Sequence, residues 1–267
     1  MKRLGQHFLK NKNILKRIAE DVEAQSGEVI VEIGPGHGEL SKFLLGAYPE
    51  NQFILIERDT KLVEQLLAKS SPSAAIFSDQ NIKITNGDVL KVLPDVVAGL
   101  NGRPYRLVGN LPYYITGYLF RIIEGLAHKP AAAVFLVQKE VAERLVSLPP
   151  TMNRFAASVQ FWADVSIAAV VHKEDFRPQP RVESAVVKVV PHSRYAEADS
   201  VLYYKTVATL FRHPRKTILN NLSETPEAAV SKGELMHTLQ NAGFDPRLRP
   251  QNLQVADIIR ISKQIQA

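Results

Sequence analysis

Apolar runs of strand length alternate with segments of helical spacing along most of this chain. Ile14, Leu15, Ile18 and Val22 recur at helical intervals, Val29-Ile30-Val31 reads as a buried strand, and Leu40–Leu45 reads as a helix. The alternation continues with a strand at Phe53–Ile56, a helix around Leu62–Leu67, and strands at Ile82–Ile84 and Tyr105–Val108. A helix over Gly117–Leu126, a strand at Ala131–Val137 and a helix over Glu140–Ser147 follow. Apolar strands separated by helices imply a parallel sheet with crossover helices. Val165–Val171 and Ser184–Val190 are two further strand-like runs around a proline-rich loop, suited to an antiparallel pair at the sheet edge. Past residue 192 the pattern turns helical, over Leu202–Leu210, Arg215–Leu222, Gly233–Asn241 and Leu253–Ile261. Pro214, Pro226, Gly243, Pro246 and Pro250 punctuate it. The expected organisation is an α/β domain over 1–192 and a small all-helical domain over 193–267.

A chain of 267 residues, 45% hydrophobic and 22% charged, can bury a sizeable core. It has no cysteine, which excludes disulfides, thiolate metal sites and cysteine nucleophiles and fits the cytoplasm. No apolar run approaches the roughly 20 residues that span a bilayer, and the N-terminus lacks an apolar signal core. Net charge is 33 − 27 = +6, and its placement is uneven. Lys2, Arg3, Lys10, Lys12, Lys16 and Arg17 fall in the first seventeen residues, which hold no acid. A concentrated basic arm suits a phosphate backbone; a solvated tail has the same composition.

Between the first strand and its helix lies Glu32-Ile33-Gly34-Pro35-Gly36-His37-Gly38. Glycines there let the backbone turn tightly and approach a ligand. Glu57, at the end of the second strand, can accept both hydroxyls of a ribose. Enzymes that bind NAD use the same logic, but the spacing is not G-x-G-x-x-G, and Glu39 opens the helix where a pyrophosphate would sit. Glu32 suits a ligand with positive charge, or else bonds backbone amides at its strand end. S-adenosylmethionine has a ribose, an ammonium and a sulfonium and no phosphate. Asp88, in Asn86-Gly87-Asp88, can accept an adenine amino group or serve as an ordinary turn aspartate.

Asn110-Leu111-Pro112-Tyr113 closes the fourth strand and faces the same crevice. The Asn110 side-chain oxygen and the Leu111 carbonyl can grip the two hydrogens of an exocyclic amine, and Tyr113 offers a ring for its base. Holding amine and methyl donor in line supplies rate, and paired acceptors stabilise positive charge developing on nitrogen. Phe176-x-Pro178-x-Pro180-x-Val182-x-Ser184 places a second ring, Phe176, expected opposite Tyr113. Stacking worth about 1–3 kcal/mol per ring can offset the few kcal/mol of base extrusion.

Taken in order, Leu4–Leu9, Glu32–Gly38, Glu57-Arg58-Asp59, Gly87-Asp88, Asn110–Tyr113, Gln138–Val141, Phe176–Ser184, Arg215-Lys216-Thr217 and Gly243–Pro246 resemble the KsgA-type small-subunit ribosomal RNA adenine dimethyltransferases. The resemblance covers nearly the whole chain. It implies a class I methyltransferase domain with a seven-stranded, Rossmann-like sheet, a helical C-terminal domain that binds RNA, and S-adenosylmethionine as cofactor. It also implies four methyl transfers onto two adjacent adenosines near the 3′ end of 16S rRNA, in an immature small subunit; a monomer with no membrane partner is expected. By matching position, His7, Leu9, Gly34, Glu57, Asp88 and Asn110 would touch the cofactor. Tyr113 and Phe176 would hold the base, and Asn110 and Leu111 the amine. Arg212, Arg215 and Lys216 are candidates for RNA contact. Two positions depart from the family: Tyr114 stands where asparagine is usual, and Gln179 where a proline is common. Three alternatives share some of these features: an assembly factor with little catalysis, a 23S rRNA dimethyltransferase, and a dinucleotide oxidoreductase. Leu111 and the Gly243–Asn252 segment favour the small-subunit branch.

Overall fold

The computed structural model describes residues 7–68, 80–224 and 231–266. Its main sheet has seven strands in the order β4-β3-β2-β5-β6-β9-β7. These are β2 (Val29–Ile33), β3 (Gln52–Glu57), β4 (Ile82–Asn86), β5 (Tyr105–Asn110), β6 (Ala132–Gln138), β7 (Ala163–Val171) and β9 (Ser184–Pro191). The pairs β2–β3, β3–β4, β2–β5 and β5–β6 are parallel, whereas β9 runs antiparallel to β6. The chain leaves β2 toward β4 on one side and returns to β5 on the other. This reversal opens a crevice at the carboxyl ends of β2, β3 and β5, where open α/β sheets bind ligands. Every residue of β2 is buried, which accounts for its unbroken apolar run around one acid.

Helix α1 (Lys12–Asp21) precedes the sheet, α2 (Glu39–Ala47), α3 (Thr60–Leu67), α4 (Val89–Ala98) and α5 (Thr116–Gly125) are its crossover helices, and α6 (Lys139–Leu145) follows β6. Helix α4 is an addition to the sequence reading. It buries Val89, Leu93 and Val97 on one face and carries Pro94 inside. A proline lacks the N–H that a helix interior uses, which is why its sequence reads as a loop. A two-stranded ladder was also unforeseen: β1 (Phe8–Leu9) pairs antiparallel with β8 (Phe176–Arg177), placing Leu9 opposite Phe176. The proline-rich loop between β7 and β9 therefore holds Phe8 and Leu9.

The chain forms two compact units that the boundary at 192/193 does not separate. One runs up to Ala142 and includes Val165–Pro191; the other joins Glu143–Asp164 to the residues from His192 onward. The second unit contains α7 (Arg154–Gln160), α8 (Ser200–Leu210), α9 (Ile218–Ser223), α10 (Lys232–Asn241) and α11 (Val255–Gln266). Helix α7 was not anticipated. It is short and capped by Asn153, whose side chain accepts from the Phe155 and Ala156 amides. It brings Phe161 into this unit's core, where its ring stacks on Tyr203 at 4.0 Å. Helix α9 starts at Ile218 because Arg212–Thr217 form a turn, and buried Asn221 holds that turn. Its amide nitrogen donates to the carbonyls of His213, Lys216 and Thr217 and its oxygen accepts from the His213 amide.

Candidate active site

The crevice of the first unit is open to solvent and is lined by His7, Phe8, Gly34, Gly36, Glu57 and the Asn110–Tyr113 loop. A narrower recess continues from it over Glu32, Leu40 and Leu9. Gly34 and Gly36 form the rim with φ of +69° and +61°, a region costly to side chains. A Cβ on Gly36 would stand 2.9 Å from the Phe8 ring, so the glycine turn also admits the N-terminal strand.

Two acids at neighbouring strand ends face this space in different conditions. Both oxygens of buried Glu57 accept backbone hydrogen bonds, from Gly36 at 3.1 Å and Asp59 at 2.8 Å. Each oxygen has a second lone pair and can still accept from a ligand hydroxyl. Glu32 is 1% exposed and has one hydrogen bond, from the Ser41 hydroxyl at 2.6 Å. Burial pushes its carboxyl up to about 8; the Ser41 bond opposes this, and Glu57 and Glu39 add to it. No described cation is paired with Glu32. A bound cation would compensate it.

Asn110 ends β5 at the centre of the crevice. Its amide nitrogen donates to the His7 carbonyl at 2.8 Å. A carbonyl only accepts, so the NH₂ end of the amide is fixed at His7 and Oδ1 is left as the acceptor at the other end. Leu111 is buried, and its amide bonds the Leu136 carbonyl, which continues the sheet by one residue. Tyr113 lines the crevice, and its hydroxyl shares a 2.9 Å hydrogen bond with fully buried Ser184 on β9. Burial raises the Tyr113 hydroxyl above its ordinary range, with Ser184 opposing. The ring is thereby held at both ends, by backbone and by Ser184.

The ring that faces Tyr113 is His7, with centroids 6.1 Å apart and planes inclined by 24°. Its Nδ1 lies 2.7 Å from the Pro178 carbonyl and so carries the proton. Phe176, expected opposite Tyr113, is 1% exposed and packs in the apolar core with Leu9, Leu15 and Ile18. The β1–β8 ladder turns it inward in this structure, away from the position opposite Tyr113. Ser184 and the His7 ring are the contributors that sequence reasoning missed. Ser184 was visible as the last residue of the Phe176 motif but without a role; the His7 contact depends on a ladder between distant segments that no local signal reveals.

Leu9 and Gly34 border the recess. Asp88 caps α4 by accepting from the Leu90 amide at 3.1 Å, with Arg58 3.6 Å away; it is not among the residues lining the crevice. The basic arm is more nearly neutral than its composition implied. Lys10 pairs with Glu39, Lys16 with Glu20 and Arg17 with Asp21, while Lys2 and Arg3, like Leu4–Gln6 and Pro226, lie outside the described residues. No described helix is long and apolar enough to cross a membrane, and no described His, Cys, Asp or Glu cluster could hold a metal.

Comparison with known proteins bears on the family and the fold. The family model for ribosomal RNA adenine dimethylase matches residues 1–267. The chain is 35% identical over 258 residues to the ribosomal RNA small subunit methyltransferase A of Dehalococcoides mccartyi strain BAV1, covering 96% of this chain and 85% of that protein. It is 33% identical over 268 residues to the protein of the same name from Chromobacterium violaceum, covering 99% and 95%. Among solved structures, a dimethyladenosine transferase from Plasmodium falciparum superposes with a TM-score of 0.76 at 22% identity over 95% of each chain. The 23S rRNA methyltransferase ErmE does so with 0.73 at 21%, over 97% of this chain and 100% of that one; these two likenesses bear on the fold, a class I methyltransferase fold. With its glycine rim, strand-end acids and Asn-Leu-Pro-Tyr loop converging on one crevice, this chain belongs to the ribosomal RNA adenine dimethylase family and is an rRNA methyltransferase.

Proposed function

We propose that this protein dimethylates the exocyclic amines of two adjacent adenosines in the 3′-terminal hairpin of 16S rRNA, within an immature small subunit, acting as a monomer in the cytoplasm. The observation that carries the reading is the anchored Asn110 amide, whose Oδ1 is left as an acceptor beside the Tyr113 ring. The names of the relatives, small subunit methyltransferase A, support the choice of RNA.

The residues present fit S-adenosylmethionine: a buried, uncompensated Glu32 for its ammonium group, Glu57 for its ribose hydroxyls, and the Gly34–Gly36 rim and Leu9 for its apolar and backbone contacts. Asp88 would take the adenine amine at the end of β4, and the His7 main chain borders the donor through Asn110. When bound, this donor supplies a methyl group on a sulfonium. The protein's own contribution is placement. Asn110 Oδ1 and the Leu111 carbonyl accept from the two amine hydrogens and turn the nitrogen lone pair toward the methyl group. They then stabilise positive charge as it develops on nitrogen. Tyr113 holds the base by its face. In this reading Phe176 acts from behind, as core support for β8. In the second unit, Arg212 and Arg215 are exposed on the turn held by Asn221 and are suited to phosphate contact.

The test supplies the full chain and labelled S-adenosylmethionine to small subunits from cells without the modification, then maps the label by mass spectrometry. Two dimethylated adenosines in the 3′-terminal hairpin are expected. The same assay on separately prepared large subunits covers the alternative: label in their 23S rRNA and none in the small subunits, or no label in either, would overturn the reading.

A further inference from the structure

Directly after the Asn110–Tyr113 loop the chain exposes two large rings, Tyr114 at 56% and Tyr118 at 66%. A single exposed aromatic is ordinary. Here two stand four residues apart on the continuous turn of Tyr113–Ile115 and α5, hence on one face. Gly117 and Arg121 share that face and are also exposed. Gly117 has an ordinary helical conformation, and a Cβ added to it would meet nothing within 4 Å. Packing within the protein therefore gives no reason for a glycine, and alanine would favour the helix. What the glycine does provide is a bare floor between two rings.

The first ring is held in place. Arg58 donates from Nη1 to the Tyr114 hydroxyl at 3.3 Å and lies 3.6 Å from Asp88. This bond sets a guanidinium at the edge of the ring; Arg121 adds a second cation one turn along α5. Exposed rings interleaved with cations are the surface that unpaired nucleotides occupy, because every base has a face to stack and every nucleotide a phosphate. The patch begins one residue after Tyr113, which lines the crevice, so it lies next to the place where the target base would bind.

We propose that Tyr114, Gly117 and Tyr118, with Arg58 and Arg121, form a second nucleotide platform that stacks the unpaired RNA base next to the target adenosine. The proposal rests on the RNA reading of the crevice and extends it to the neighbouring nucleotide. With two adjacent adenosines as substrates, such a platform would park one while the other is in the crevice.

The experiment measures steady-state methylation of unmodified small subunits by the full-length protein, with donor affinity measured separately by calorimetry. The double variant Tyr114→Ala/Tyr118→Ala is expected to raise KM for the subunit about 10- to 100-fold, the scale of lost base stacking. The rise in KM should exceed any fall in kcat, and donor affinity should be unchanged. Tyr114→Phe/Tyr118→Phe keeps both rings and should restore most of the KM. Gly117→Ala should melt at a higher temperature than the wild type and still bind RNA more weakly, a combination that a purely structural role would not give. An unchanged KM in the double alanine variant, or no rescue by phenylalanine, overturns the platform while leaving the crevice reading intact. A wild-type protein that methylates no rRNA adenosine overturns both.

Discussion

On one side of the crevice stand two buried carboxylates, Glu32 and Glu57, neither ion-paired with a described residue; on the other, the Asn110–Tyr113 loop carries no formal charge. The acids are embedded in strands and the glycine turn. The loop is anchored by hydrogen bonds from outside itself, to the His7 carbonyl and the Ser184 hydroxyl. The difference fits the chemistry proposed for each side. A cationic donor is recognised by acids it can hold ionised, and a deeply buried carboxyl such as Glu32 takes its charge only when the ligand compensates it. An amine must stay neutral to attack, so its holder needs oriented acceptors rather than charge. Charge tolerates small errors of position, whereas a hydrogen-bond acceptor does not.

The largest expected effect separates the two aromatic residues once expected to face each other. Phe176→Ala should cost about 3–5 kcal/mol of stability, as for a buried core ring, measured by denaturant unfolding. Tyr113→Ala should cost less stability and more RNA affinity. If Phe176→Ala leaves stability unchanged and abolishes RNA binding, the core placement is wrong and the ring belongs to the base after all.

Asn110→Ala removes the oriented acceptor and should lower kcat about 10²- to 10³-fold, the scale of losing one preorganised group. RNA binding should survive. Turnover like the wild type would dismiss the loop as the amine holder.

The acidic side is tested by pH. Glu32, with its carboxyl at about 8, is protonated in the free protein near neutrality. A cationic donor selects the ionised form, so its affinity should rise with pH by up to about tenfold per unit between pH 6 and 7.5. That window lies below the donor ammonium's own titration near 7.7–8.0. Binding should release a proton, visible by calorimetry in buffers of different ionisation enthalpy, and Glu32→Gln should flatten the profile. The sign for folding is opposite. The free protein's contribution from protonated Glu32 is fully present below the ordinary carboxylate pKa and lost as pH rises through about 8. A pH-independent donor affinity would remove Glu32 from the donor site.

The smallest effect belongs to the support of the loop. Ser184→Ala deletes one hydrogen bond, worth about 1 kcal/mol, and should raise KM for RNA about fivefold with donor affinity intact. An unchanged KM would show that the backbone alone positions Tyr113.

Much of this architecture was already legible in residue order. Parallel strands follow from apolar runs such as Val29–Val31 and Phe53–Ile56, because a strand covered on both faces has no polar side to alternate. The glycine turn and the Asn-Leu-Pro-Tyr loop stood out because each needs particular residues at adjacent positions. Helices α4 and α7 escaped the reading for local reasons: Pro94 looks like a stop, and α7 is too short to show a period. Tertiary structure decided which of two rings faces Tyr113, how the Asn110 amide is turned, and how much of the basic arm is already paired. Those outcomes depend on contacts between Phe8 and Arg177, His7 and Asn110, and Lys10 and Glu39. Periodicity reports the face a residue presents within its own element. The neighbour that meets that face is chosen by the packing of segments far apart in the chain, and no local pattern encodes it.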